Sequence, residues 1–140
     1  MNRNSLKNIA IEVINLEINA LKILKKSINK NFDKAVNTIV NCQSKIILCG
    51  VGKSGLIAAK IASTLSSVGS PAFSLSANDC LHGDLGSITK KDVLILISNS
   101  GRSEEIIPII KFANRNKIKL IGIVSKKDSI LYKGSDIKIL

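Results

Sequence analysis

The sequence predicts an α/β fold, a three-layer, doubly wound parallel sheet of five strands preceded by two helices. Three observations carry this expectation. From Lys45 onward, short aliphatic runs alternate with stretches of helical periodicity, the pattern of repeated βα units. The runs Ile46-Ile47-Leu48-Cys49 and Val93-Leu94-Ile95-Leu96-Ile97 are apolar at every position, as strands covered on both faces require. Aliphatic residues dominate while aromatics make up 3%, a composition suited to a parallel sheet under helices.

The elements follow in order. Ser5 is placed to cap an opening helix in which Leu6, Ile9, Val13, Leu16, Ala20, Leu21, Leu24 and Ile28 keep helical spacing. Ile14 and Ile18 widen that stripe, which suggests burial against more than one neighbour, a second subunit among the candidates. Asp33 is expected to cap a second helix through about Cys42. Residues 1–44 thus form a helical lead-in that packs on the sheet, and residues 45–140 form the α/β domain. Within it the expected strands are 46–49, 72–75, 93–97, 119–124 and 137–140. Helices are expected at 56–68, at about 104–115 and near 128–133, while the segment 79–86 receives no assignment. The chain stops inside its last strand, with no later helix to cover that side, so the domain is read as truncated at its carboxyl end.

One domain of 140 residues is large enough for a real core. The net charge of +11 comes mainly from lysines spread along the chain. Phe32, Phe73, Phe112 and Tyr132 are isolated, so there is no basic stripe with stacking aromatics, and nucleic acid is not expected as a partner. Such a charge suits the steering of small anions. No run approaches the ~20 apolar residues of a membrane span, and the amino terminus lacks a secretory pattern. Cys42, Cys49 and Cys80 are odd in number and widely spaced, which fits three small buried thiols in a reduced, cytoplasmic setting.

Two loops carry the chemistry. Gly50-Val51-Gly52-Lys53-Ser54-Gly55 lies between the first strand and the following helix. Its GKS tail does not make a triphosphate-binding loop, because the glycine required five residues before Gly52 is Ile47. It does match GxGxxG, yet the acid expected at the end of the second strand is missing from Phe73–Asn78, and Asp79 comes late. A dinucleotide site and a plain tight turn both remain open on this loop alone. The second loop, Ser98-Asn99-Ser100-Gly101-Arg102-Ser103, leaves a buried strand and opens a helix. Outward N–H groups, the helix macrodipole and serine hydroxyls make it suited to an anion. Both loops sit at the carboxyl edge of the sheet, where doubly wound folds bind ligands, and together they suit a phosphorylated metabolite.

The motifs Gly50-x-Gly52-Lys53-Ser54-Gly55, His82-Gly83-Asp84-Leu85-Gly86 and Ser98-Asn99-Ser100-Gly101-x-Ser103-x-Glu105 resemble those of sugar isomerase (SIS) domains, a flavodoxin-like fold. Within that superfamily they are similar to the arabinose 5-phosphate isomerases, from about Lys45 to the end. The resemblance implies interconversion of D-ribulose 5-phosphate and D-arabinose 5-phosphate through an enediol, for lipopolysaccharide synthesis. It implies no organic cofactor and a homo-oligomer, tetrameric in the full-length form; no metal ligand is assigned, and divalent metal binding stays open. By the same resemblance Ser54, Ser98, Asn99, Ser100, Gly101 and Ser103 hold the substrate phosphate. Lys53 polarises the carbonyl, Glu105 serves as base or acid, and His82 assists proton shuffling or ring opening. Arg102 stands where the family commonly carries an acid. The family's later active-site glutamate and histidine, and a Ser/Thr-rich helix, have no counterpart up to Leu140, so this chain is expected to turn over little by itself.

Simpler roles stand beside these. Serines at a helix start can be caps, Glu104 and Glu105 can serve the macrodipole, Lys53 can be a surface charge, and His82 can tie down a loop. Two other functions compete: a non-catalytic phosphosugar-binding regulatory module and a dinucleotide-binding domain.

Overall fold

The computed structural model describes residues 3–140. The chain divides at Lys30 into two compact units. The first holds helix α1 (Arg3–Ser27), which exposes large apolar side chains, among them Leu16 and Ile23. Because α1 already runs from Arg3, Ser5 lies inside its first turn and does not cap it. Asp33 likewise falls in the first turn of α2 (Lys30–Val40), where its carboxylate favours the macrodipole instead of closing the helix end.

The second unit is the expected sheet. Its strands are β1 (Ile46–Gly50), β2 (Ala72–Ser76), β3 (Val93–Ser98), β4 (Lys119–Val124) and β5 (Ile137–Ile139). They are all parallel in the order β2-β1-β3-β4-β5. Helices α3 (Lys53–Ser67), α4 (Ala77–Leu81), α5 (Ile106–Arg115) and α6 (Ile130–Gly134) complete it, with one 3-10 turn at Asp84–Ser87.

Alternation along the central strands builds two cores. Ile46, Leu48, Val93, Ile95 and Ile121 face Ala35 of α2 and Ala58 and Ala62 of α3. Ile47, Cys49, Leu94, Leu96 and Leu120 face Ala77 and Cys80 of α4, Ile106 and Ile109 of α5, and Leu131 of α6. Every residue of β1 is buried, and each fully buried Ile or Leu side chain contributes about 1.5–3 kcal/mol. Cys42 is only half-buried, contrary to the expectation of three buried thiols. It follows the end of α2, where its Sγ lies 3.3 Å from the Lys45 carbonyl oxygen.

A clamp joins the amino ends of the two central strands. Asp92, immediately before β3, is buried and accepts from the Lys45 N–H (3.3 Å) and Nζ (3.0 and 3.1 Å). It also accepts from the Thr89 N–H (2.6 Å) and hydroxyl (3.0 Å). Burial alone would raise its pKa. Hydrogen bonds from Thr89, Ser44 and Lys45 outweigh that and hold it at about 2.

Candidate active site

Strand order reverses between β1 and β3, since β1 leads outward to β2 while β3 leads to β4 and β5. That is the switch point, where the crevice at the carboxyl ends receives ligands. Gly50 of β1 is paired with Ile97 of β3, so both glycine- and serine-bearing loops leave the sheet side by side.

The first loop turns tightly into α3. A Cβ on Gly50 would lie 2.7 Å from the Ser54 carbonyl carbon, so only glycine lets the helix start so close to the strand. The helix begins at Lys53, three residues before the hydropathy pattern suggests, because the apolar face starts later than the backbone turn. Lys53 is exposed and Ser54 half-buried, both in the first turn.

The second loop folds on itself. Ser98, buried at the end of β3, accepts from the Gly101 N–H at 3.0 Å, and the Ser100 hydroxyl oxygen accepts from the Arg102 N–H at 3.3 Å. Gly101 has φ +63° and shapes the turn, its own N–H being already engaged. Asn99 and Ser100 are exposed and Ser103 and Glu105 half-buried. Helix α5 starts at Ile106, so Glu105 occupies the capping position instead of the first turn, and its side chain makes no capping bond.

His82 closes α4 at the carboxyl end of β2, its N–H donating to the Asp79 carbonyl at 2.9 Å. The segment 77–87, to which hydropathy assigns no element, is held by Ala77 and Cys80 in the core against Ile106 and Ile109. The Cys49 thiol is pushed well above its ordinary pKa by its hydrogen bond with Cys80 and by burial, so it behaves as a packed neutral group beneath the loops. The three motifs therefore share the edge formed by β2, β1 and β3. Among the described residues the side chains of Lys53, His82 and Glu105 make no hydrogen bond or ion pair.

A third loop, not singled out from the sequence, completes the edge. After β4, the Ser125 N–H donates to the Asn99 carbonyl (3.3 Å) and its hydroxyl donates to Asn99 Oδ1 (2.6 Å). Arg102 pairs with Asp128, the Leu131 N–H donates to the Gly101 carbonyl (3.1 Å), and Ser129 caps α6. The available signal was positional. Ser125 directly follows β4, which ends at the same carboxyl edge of the sheet as β1 and β3.

The SIS domain family matches residues 39–140. A Francisella tularensis protein named arabinose 5-phosphate isomerase KdsD is 44% identical over 135 residues, covering 94% of this chain and 41% of its own length. A Rickettsia prowazekii protein, RP505, is 40% identical over 97% of this chain and 43% of its own. The chain thus spans about two fifths of the length of these curated relatives. Among solved structures, E. coli CFT073 c3406 in complex with arabinose 5-phosphate superposes with TM-score 0.92 at 34% identity, over 99% of this chain and 74% of that one.

Proposed function

The chain belongs to the SIS domain family, and we propose that it carries the sugar-phosphate site of an aldose–ketose isomerase interconverting D-ribulose 5-phosphate and D-arabinose 5-phosphate. What supports this reading most is the pair of anion-suited loops beside the β1–β3 switch point, in a chain similar to a protein solved with arabinose 5-phosphate. Relatives named arabinose 5-phosphate isomerase support the same choice of pentose.

The chemistry needs few parts. Ser54, Ser98, Asn99, Ser100 and Ser103 bind the phosphate in the turn that Gly101 shapes, and that remote binding energy positions the reacting carbons. Glu105 takes the proton from the carbon beside the carbonyl, and its acid form returns it to the neighbouring carbon. Between these steps an enediol forms. Lys53 stabilises the oxyanion that develops on the carbonyl oxygen, and His82 moves hydroxyl protons or opens the sugar ring. The product feeds synthesis of the acid sugar of lipopolysaccharide, in the cytoplasm. The exposed apolar side chains of α1 support a homo-oligomer, because aliphatic surface of that extent is ordinarily covered.

Calorimetry with arabinose 5-phosphate, ribulose 5-phosphate and NAD tests the reading, followed by an isomerisation assay. Binding of both sugar phosphates is expected. Binding of NAD and neither sugar phosphate overturns it, and binding without turnover in a chain extended to the length of its relatives points to a regulatory module.

A further inference from the structure

We propose that Ser125 is a positioning residue that turns the Asn99 amide so that it presents only donors to the bound phosphate. This rests on the reading of the 98–103 loop as a phosphate cradle.

An asparagine beside an anion is ambiguous, because one end of its amide attracts a phosphate oxygen and the other repels it. Ser125 resolves the ambiguity. Its hydroxyl donates to Asn99 Oδ1 at 2.6 Å, which occupies the repelling end and leaves both Nδ2 hydrogens to donate. Its N–H donates to the Asn99 carbonyl at 3.3 Å, so the main-chain acceptor is occupied as well. The Gly101 carbonyl is satisfied in the same way by the Leu131 N–H at 3.1 Å. Within the loop, the Ser98 and Ser100 oxygens accept from the Gly101 and Arg102 N–H groups, which frees their hydroxyl protons to point elsewhere. The segment after β4 therefore takes up the Asn99 side-chain oxygen and the Asn99 and Gly101 carbonyls, three acceptors that would otherwise repel a doubly charged phosphate. The one carboxylate this segment brings to the loop, Asp128, is neutralised by Arg102.

The test uses the whole chain with two probes, D-arabinose 5-phosphate and inorganic phosphate. Ser125→Ala is expected to weaken both about tenfold, because an amide free to turn no longer holds its donating end toward the anion. Ser125→Thr, which keeps the hydroxyl, is expected to restore affinity to within about threefold. In an Asn99→Ala background Ser125→Ala should add less than about twofold, since its effect runs through the amide. An equal loss with and without Asn99 would overturn the proposal, and so would no loss in either. The wild-type chain supplies a second readout: the Asn99 side-chain NH2 resonances should shift on adding phosphate, and resonances that stay put while phosphate binds also overturn it. Failure of the wild-type chain to bind either probe defeats the cradle reading itself, a result separate from the others.

Discussion

The strand pair β1 and β3 ends in opposite ways. At its amino end the Asp92 carboxylate is buried, and Lys45 and Thr89 supply its donors from both side chain and backbone. At its carboxyl end the same two strands release loops in which Lys53, Ser54, Ser100, Ser103 and Glu105 are exposed or half-buried beside the buried Ser98, with Lys53 and Glu105 unpaired among the described residues. One end spends its polar groups on the fold, while the other leaves Lys53 and Glu105 unengaged among the described residues, as the proposed function requires.

Removing the clamp should give the largest effect. Asp92→Ala leaves the Thr89 N–H and the Lys45 ammonium without their acceptor, and a loss of about 3 kcal/mol is expected in urea denaturation. Sugar-phosphate affinity of the folded variant should stay within about twofold. A parallel loss of affinity would mean that the two ends are not separate.

Gly101→Ala attacks the opposite end. The backbone has φ +63°, and a Cβ there would lie 2.4 Å from Ser129 Oγ and 2.6 Å from Val124 Cγ2. A destabilisation of about 2 kcal/mol is expected, together with loss of most phosphate affinity, because the turn that aims the Ser98 and Ser100 hydroxyls must shift. Unlike the clamp variant, this one should lose both properties.

Acid separates the ends without mutation. The Asp92 pKa is about 2 in the folded chain against an ordinary 3.8. Its lowered pKa therefore contributes about 2 kcal/mol above pH ~4, a contribution that is lost as pH falls through 2. Asp92→Asn should flatten that part of a stability–pH curve measured by denaturation. An unchanged slope would assign the acid sensitivity to other carboxylates.

The clamp-end strands were legible in the sequence because burial on both faces leaves uninterrupted aliphatic runs, as in β1 and β3. Helix starts were less legible. Lys53 opens α3 three residues before its apolar face begins, while Ser5 and Asp33 have the composition of caps but lie within first turns. At the carboxyl end of the sheet the two glycine and serine loops could be read from local pattern, but the Ser125 segment could not. β3 and β4 pair at a constant separation of 26 residues, from Val93–Lys119 to Ser98–Val124. The Asn99–Ser125 and Arg102–Asp128 contacts continue that separation beyond the strand ends. Aliphatic runs show that strands are present, yet they leave the register between parallel neighbours open by a residue or two. A shift of one residue would have paired different side chains.

The smallest effect on stability is expected at Lys53, and there the contrast becomes sharpest. Lys53 is the first residue of α3, where the positive end of the helix dipole disfavours a cation. Its ammonium is exposed and makes no ion pair among the described residues, so the fold gains nothing evident from it. Lys53→Ala should therefore stabilise the chain by a few tenths of a kcal/mol, roughly 0.3, through relief of the dipole and better helix propensity. Affinity for arabinose 5-phosphate should fall about tenfold, while inorganic phosphate, which lacks the carbonyl end, binds as before. Denaturation and paired calorimetric titrations read these three quantities together. If the variant is less stable and binds both ligands normally, Lys53 belongs with Asp92 among the groups that serve the fold. If stability rises as sugar affinity falls, the chain holds a cation against its own helix for the sake of the substrate.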